Sequence, residues 1–443
     1  MRAVMKFGGG ILCNNEAYAK IAKILEKNSS RENVLVVSAH KGVTDLLLET
    51  FEKHSKKKVL KAIEKIREKH LFDGVDKKKI EKKLVQLQKK LEKCNANTLQ
   101  KKEEVSAWGE KLSALSLASY LKNKGFKAKP VESEEAGIIT DGVMGNAACN
   151  IEKTTKNLSK YEKDLEDGAL VLTGYYGVDS KGRTTTFGRG GTDYSAGFIA
   201  RCLNANLLEI WKNVDGFMSC DPKLLKCAVK LDEISFLEAK ELGYFGAAIL
   251  HPRTFDYLEN AKTKVVVKNI FKPNGKGTKI VRKKNNSKHF KQLVTSVGVK
   301  RNIAVVDVEG TNLSEQAGGA AKIFSSIASR GISIDGISTA QVNISFTVDD
   351  KDADSALEAL NALGQKYVQK ASCKKNMALI GIVGEELMHS SSHAAGITFP
   401  ALEKAGVSVK MISQSASGID LSFLVKEQDV NTALNALHEK LWG

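Results

Sequence analysis

The sequence has no apolar run approaching the roughly 18–20 residues needed to span a bilayer. Its seven cysteines contain no Cys-x-x-Cys pair, and no ligand cluster of zinc-site spacing occurs. These absences exclude a helical membrane protein, a disulfide framework and a structural zinc site. An odd, dispersed cysteine set in a chain of 443 residues reads as reduced thiols of a cytoplasmic protein. Also missing are a Walker A loop, a Gly-x-Gly-x-x-Gly dinucleotide motif and a His-Arg-Asp kinase loop. The opening residues Met1 to Gly9 read as a strand running into glycines, not as a charged-then-apolar signal segment.

What is present is a core-forming, wettable composition, 42% hydrophobic and 27% charged, of a length that predicts two or three domains. The net charge is +17, which raises a nucleic-acid reading. The excess is concentrated between Lys56 and Lys102, where apolar residues recur at helical spacing (Val59, Ile63, Ile66; Ile80, Leu84, Leu87, Leu91). Lysines fill the gaps, with no interleaved aromatics of the kind that stack on bases. This pattern predicts two amphipathic helices with solvated basic faces, and no nucleic-acid or membrane partner.

The first part alternates strand and helix: strands at Ala3–Phe7, Asn33–Ser38, Ala169–Gly174 and Leu207–Trp211, and helices at about Glu16–Glu26, from Asp45, over Ser106–Leu121 and over about Asp193–Leu203. Continuous apolar strands separated by helices predict an α/β domain with a mostly parallel sheet covered on both faces. Lys272 to His289 is polar and basic and reads as a linker. Beyond it lies an internal repeat: Asn302–Val306 resembles Asn376–Ile380, Gly331–Ile334 resembles Gly406–Val409, and Asn343–Phe346 resembles Asp420–Phe423. Each unit reads strand, helix, strand, strand, helix, which predicts two small α+β sheets side by side with an effector cleft between them.

Two glycine-rich segments carry chemistry. Lys6-Phe7-Gly8-Gly9 follows the first strand, where backbone N–H groups can approach a phosphate and Lys6 can add a point charge. Gly188-Arg189-Gly190-Gly191-Thr192-Asp193 leaves the Arg189 fork free for a carboxylate, while Asp193 stands where a helix begins and reads equally as an N-cap. Glu110 reads as a first-turn acid, and Ser38 and Thr44 as turn hydroxyls after the second strand.

Taken together, these segments resemble the aspartate kinases. The matching elements are Lys6–Gly9, Val36–Asp45, Gly109–Glu110, Thr185–Ala196, Val214–Pro222 and Phe245–Thr254, and the C-terminal repeat looks like the family's tandem ACT domains. The resemblance spans essentially the whole chain. It implies an amino-acid-kinase fold over residues 1–285, with a Lys-rich helical insertion at about 52–104, followed by ferredoxin-like ACT domains at 292–370 and 371–443. It implies transfer of the ATP γ-phosphate to the β-carboxylate of L-aspartate, the first step toward lysine, threonine and methionine, with Mg2+ carried by the nucleotide. By resemblance, Lys6, Glu110, Arg189 and Asp193 are catalytic. Ser38, Thr44, Glu110, Tyr175, Thr186 and Arg189 line the aspartate pocket, with Glu110 and Asp193 receiving its ammonium. Lys6, Phe7, Gly8, Gly9, Lys212, Asn213, Phe217, Asp221 and Lys223 form the ATP side. Ser333 and Asp335 stand where an amino-acid effector, lysine or threonine, binds, and the ACT domains imply a homo-oligomer.

The chain departs from the family pattern in four places. Gly10-Ile11 replaces Thr-Ser, Trp211-Lys212-Asn213 replaces Trp-Thr-Asp, Ala248 replaces a lysine, and Ser338–Gln341 replaces Thr-Thr-Ser-Glu. Plant-type aspartate kinases look similar at the second and third of these, so Lys212 is expected to stand in for the missing cation. The alternatives are another amino-acid-kinase enzyme, acting on glutamate, acetylglutamate or a nucleotide, and a decayed, effector-binding protein.

Overall fold

Apolar runs and helical stripes fold as their periods predict. In the first unit, β1 (Arg2–Phe7) leads into α1 (Asn15–Lys27), capped by the Asn14 side chain, and β2 (Glu32–Val37) into α2 (Val43–Glu52). The basic stretch forms α3 (Lys56–His70) and α4 (Lys77–Glu92), capped by Ser55 and Asp76. Next come α5 (Leu99–Ser106), α6 (Trp108–Asn123), β3 (Ala128–Val131), α7 (Ser133–Ala136), α8 (Ile151–Leu158), α9 (Glu162–Asp167) and β4 (Ala169–Thr173). A two-stranded ribbon of β5 (Tyr176–Val178) and β6 (Thr184–Thr186) precedes α10 (Gly191–Cys202), β7 (Leu207–Lys212), β8 (Glu233–Ser235), α11 (Phe236–Tyr244, which from Leu237 onward belongs to the second unit), β9 (Lys264–Asn269) and β10 (Thr278–Val281). The sheet order is β3-β4-β2-β1-β7-β9-β10-β8, parallel except where β9 meets β10.

This computed structural model describes residues 1–52, 55–93, 98–246, 249–284, 293–310 and 318–443. Met1–Phe217, Lys230–Phe236 and Ile249–Lys284 make up the first compact unit; Met218–Val229, Leu237–Ala248 and Asn285–Gly443 make up the second. The expected linker at 272–289 is therefore partly sheet. Its Thr278–Val281 alternates buried and exposed side chains and pairs with both β8 and β9, while residues 285–289 lie outside the described residues.

The basic helices are part of the first unit's core rather than an appendage. Val59, Ile63, Ile66, Ile80, Leu84, Leu87 and Leu91 are buried in one cluster with Met5, Phe7, Val37, Ala39 and Leu47. Each such side chain contributes roughly 1.5–3 kcal/mol of burial, which fixes α3 and α4 against each other and against α2 and α6 while their lysines stay in water. Inside this cluster His40 and His70 stack at 4.0 Å between centroids. His40 Nε2 meets the Tyr18 hydroxyl at 2.8 Å, and His70 Nδ1 meets Ser116 Oγ at 3.3 Å. His70 Nε2 is buried with no hydrogen-bond partner among the described residues.

In the second unit the repeat appears as read: β11 (Ser296–Glu309), α12 (Gly319–Ser329), β12 (Ile337–Thr339), β13 (Asn343–Asp349) and α13 (Ala353–Asn361), then β14 (Lys370–Val383), α14 (Leu387–Lys404), β15 (Met411–Ser413), β16 (Asp420–Lys426) and α15 (Val430–Trp442). The two sheets expected side by side, with a strand at 292–300 open to sharing, are joined into one continuous antiparallel sheet, ordered β12-β13-β11-β14-β16-β15. It is joined because β11 and β14 are each 14 residues long and pair along most of their length. The register shifts between Lys300 and Ile303, beside Asn302. Asn302 and its repeat mate Asn376 both take φ of 58°, a left-handed conformation that asparagine tolerates better than most residues.

Burial pushes His40 down to about 3 against a backbone hydrogen bond at Lys69, and pushes His70 well below its ordinary value, with the charges of His40 and Lys69 adding to it. The unfolded chain therefore binds more protons below pH 6.5, so stability is complete above that pH and is lost as pH falls toward 3, by up to about 1.4 kcal/mol per pH unit for each ring. His70→Phe should flatten the fall in urea midpoint between pH 7 and pH 5. An equal acid loss in both proteins would remove the histidine pair as its cause.

Candidate active site

The strand order reverses beside β1: β2, β4 and β3 lie to one side, and β7 and β9 to the other. Crevices at the carboxyl ends of strands around such a switch point are where α/β sheets bind ligands. Lys6 and Phe7 end β1, and Trp211 and Lys212 end β7, with Phe7 and Trp211 in register and their rings stacked at 6.3 Å. That stacking fixes the two strand ends from which the flanking lysines project.

Asp193 joins them. It lies in the first turn of α10 rather than at its N-cap, which is Gly190; its backbone N–H donates to the Gly190 carbonyl. Its carboxylate contacts Lys6 Nζ at 2.5 Å and Lys212 Nζ at 3.4 Å. Burial alone would raise the Asp193 carboxyl, but Lys6 and Lys212 outweigh it and hold it below its ordinary value. Burial pushes the Lys6 ammonium down to about 8; Lys212 adds to this and Asp193 opposes it. The result is a buried group of two cations and one anion at the head of the glycine loop. Gly8 O accepts from Ile11 N at 2.9 Å and Leu12 N at 3.2 Å, which closes that loop into a turn. A Cβ on Gly9 would stand 2.3 Å from Ala39 O, so only glycine fits there. Position 248, where the family pattern has a lysine, lies outside the described residues.

Ala39 links this end to Glu110. Its N–H donates to Glu110 Oε1 at 3.0 Å, while Glu110 Oε2 is buried with no hydrogen-bond partner among the described residues. Burial pushes the Glu110 carboxyl up to about 8, against the pull of the Ala39 N–H. Tyr175 stands beside it at φ 73°. Burial raises its phenol against hydrogen bonds from Ser106 and Thr186, and the carboxyls of Glu110 and Glu103 push the same way. Thr186 is held by Glu103, which accepts from its N–H at 2.8 Å and its hydroxyl at 3.0 Å. Glu103 and Ser106 are therefore site-supporting residues that the sequence reading missed. Glu103 was hidden inside a segment whose composition says only "basic".

The Arg189 loop is shaped by steric exclusion. A Cβ on Gly188 would meet Gly145 O at 2.6 Å, and one on Gly190 would meet His251 at 2.4 Å. Both glycines also have positive φ. The loop is backed by Arg253, which donates to Ala147 O at 2.8 Å, Phe187 O at 3.0 Å and Asn146 Oδ1 at 2.5 Å while lying 4.2 Å over the Tyr194 ring. Arg189 itself is exposed and forms no ion pair or hydrogen bond with the described residues.

The other sequence candidates are more dispersed. Ser38 follows β2, its N–H donating to Phe7 O at 3.2 Å, and Thr44 sits half-buried in the first turn of α2. Asn213 is exposed just beyond β7. Phe217 is a core side chain whose N–H donates to Thr278 Oγ1 at 2.9 Å. Asp221 and Lys223 belong to the second unit, where Asp221 Oδ1 closes a turn onto Lys223 N at 2.9 Å. Also in that unit, Ser333 is exposed, whereas Asp335 is paired with Lys300 Nζ at 2.5 Å.

The chain and its fold have counterparts among known proteins. The amino acid kinase family model matches residues 1–269, and the ACT domain model matches 306–363 and 380–441. Aspartokinase 1, chloroplastic, of Arabidopsis thaliana is 31% identical over 465 residues, covering 99% of this chain and 80% of that protein. The chain belongs to the aspartokinase family. Lysine-sensitive aspartokinase 3 of Escherichia coli is 29% identical, with 99% of each chain covered. The crystal structure of E. coli aspartokinase III in complex with aspartate and ADP (R-state) matches all of both chains at 26% identity, with a TM-score of 0.84. The tandem ACT organisation of an aspartokinase is thus present, as is the mostly parallel amino-acid-kinase sheet. Among the described residues no helix is long and apolar enough to cross a membrane.

Arg253→Ala should cost about 2–4 kcal/mol of stability, because two backbone carbonyls lose a charged donor. Arg253→Lys should recover less than half of it, since an ammonium cannot span three acceptors in a fixed fork. Chemical denaturation of the three proteins checks both statements.

Proposed function

We propose that this aspartokinase transfers the γ-phosphate of ATP to the β-carboxylate of L-aspartate, giving 4-phospho-L-aspartate, in the cytoplasm. The observation that carries this reading is the Lys6–Asp193–Lys212 group at the switch point, one end of a site whose other end is the Glu110 carboxyl with its Oε2 unpaired among the described residues. The first end carries surplus positive charge and attracts a polyanion. The second lacks a donor and suits an ammonium. The substrate carboxylate is already ionised at neutral pH and needs no general base. Catalysis then rests on holding two anions in line and neutralising their charge.

In this scheme Asp193 is a positioning residue for both lysines rather than an ammonium receiver. Lys6 and Lys212 stabilise charge on the phosphoryl oxygens as it develops, and the Gly8–Gly9 backbone approaches the phosphates. Arg189, unencumbered in its glycine loop, clamps the α-carboxylate of aspartate. Glu110 receives the ammonium, with Tyr175, Thr186, Ser38 and Thr44 around it. Mg2+ carried by the phosphates of ATP would neutralise charge between the β- and γ-phosphates; a protein group dominated by lysines suits an ion held by the nucleotide. Regulation by lysine or threonine is assigned to the ACT unit near Ser333 and Asp335, and a homo-oligomer to its sheet. The E. coli relative has been crystallised in complex with lysine and aspartate.

Hydroxylamine trapping tests the reaction. Hydroxamate should form with ATP and L-aspartate and not with L-glutamate or acetylglutamate, and added lysine or threonine should lower the yield. No hydroxamate from aspartate sinks the assignment. Lys212→Met should lower kcat/KM for ATP by about 10–100-fold, on the scale of a lost charge contact to phosphate. An unchanged value would show that Lys212 plays no part.

Glu110 gives a pH signature. With its carboxyl near 8 in the free enzyme, binding of an ammonium requires loss of that proton, so KM for aspartate should rise as pH falls from 8 to 7, by up to about tenfold. Glu110→Gln should raise KM and abolish the dependence. A profile unchanged in the variant would place the ammonium elsewhere.

A further inference from the structure

A second cluster of reactive side chains lies away from this site, within the second unit. Residues 219–229 form a loop closed at its base, where Ser219 N donates to Val229 O at 2.8 Å and Val229 N donates to Ser219 Oγ at 2.8 Å. Leu225 and Cys220 anchor the loop in a core shared with Leu434 and Leu437 of α15. That packing brings the α15 residue His438 against the loop. His438 Nε2 stands 3.1 Å from Ser219 Oγ, and its Nδ1 stands 3.6 Å from Cys227 Sγ. The ring is stacked on Trp442 at 4.9 Å and is almost fully buried, so its orientation is fixed.

The two cysteines of this loop have opposite environments. Cys220 is buried, and burial pushes its thiol up to about 11. Cys227 is exposed, a free thiol with an imidazole nitrogen within reach. Ser219 Oγ, already accepting from Val229 N, can also accept from His438 Nε2–H. That tautomer leaves the Nδ1 lone pair facing Cys227. Burial also lowers the His438 imidazolium below its ordinary value, so the ring is the neutral base at physiological pH. An exposed thiol beside a fixed base is the arrangement that makes a cysteine reactive.

We propose that Cys227 is a histidine-assisted modification site that reacts with small hydroperoxides. His438 Nδ1 takes the thiol proton as sulfur attacks the nearer peroxide oxygen. The S–O bond forms and the O–O bond breaks, and the proton passes from Nδ1 to the departing hydroxide. The thiol and one hydrogen peroxide become a sulfenic acid and one water, sulfur losing two electrons and peroxide gaining them. Ser219 is a positioning residue that holds the imidazole tautomer.

Cys13 is the internal reference, an exposed free thiol with no imidazole bonded to it among the described residues. The full chain is treated with hydrogen peroxide and dimedone, or with iodoacetamide, and labelling is followed by peptide mapping. At pH 7, Cys227 should label at least about tenfold faster than Cys13. His438→Gln should bring the two rates within about threefold of each other while leaving Cys13 unchanged. Should that variant fold poorly, Ser219→Ala decides: losing the hydroxyl that holds the His438 tautomer should slow Cys227 labelling at pH 7 by at least about threefold and leave Cys13 unchanged. Equal rates of the two thiols at pH 7, or an unchanged Cys227 rate in a folded His438→Gln or Ser219→Ala, would each overturn the proposal.

Discussion

Everything in the first unit's site depends on one carboxylate shared by two lysines. Asp193 is buried, and so is Lys6, which no isolated charge of either kind would tolerate. Each is kept ionised by the other, and Lys212 leaves the group with one uncompensated positive charge. Lys6 near 8 records chiefly its burial, with Asp193 opposing and Lys212 adding. Glu110 records the reverse problem: a buried acid with one oxygen unpaired and a carboxyl raised to about 8. The two ends therefore call for ligands of opposite sign, and a polyphosphate with an amino acid supplies both. Specificity in this reading comes from unsatisfied electrostatics placed before the ligand arrives, not from shape alone.

The scaffold makes that arrangement possible through close approach. The carbonyl of Ala39 fills the space a Gly9 side chain would need, and the N–H of the same residue holds Glu110. One peptide segment thus spaces the glycine loop from the Glu110 carboxyl. On the opposite side Gly188 and Gly190 are pressed against Gly145 and His251, with Arg253 fastening the backbone behind them. Arg189 is free because everything next to it is held.

The parts of this site that were legible in the sequence are those written in local pattern. A strand end followed by glycines singled out Lys6, flanking glycines singled out Arg189, and helical spacing picked out Val59, Ile63 and Ile66 of α3 and all four buried leucine and isoleucine residues of α4, but not the buried Ala62 and His70. Less legible was what depends on pairing between distant segments. Asp193 reads as a cap from its position in the chain, yet it is a first-turn residue committed to lysines on two strands. Glu103 reads as one charge in a basic stretch, yet it is buried against Thr186. The second unit shows the same division. Its repeat was plain, but whether two short sheets stay apart or join depends on strand length and register. The matched left-handed asparagines, Asn302 and Asn376, mark where each long strand is bent.

The replacement of a family lysine by Ala248 with a cation gained at Lys212 can be understood in these terms. In a parallel sheet the ends of neighbouring strands lie about 5 Å apart, and β1 and β7 are neighbours on either side of the reversal. A lysine at the end of β7 therefore needs no special loop to reach a group already held by Lys6. Under the proposed function, Lys212 supplies from the end of β7 the second cation that faces Asp193. Under the proposed function, the backbone N–H groups of the glycine loop and the two lysine ammonium groups attract phosphate without hydroxyls at Gly10-Ile11.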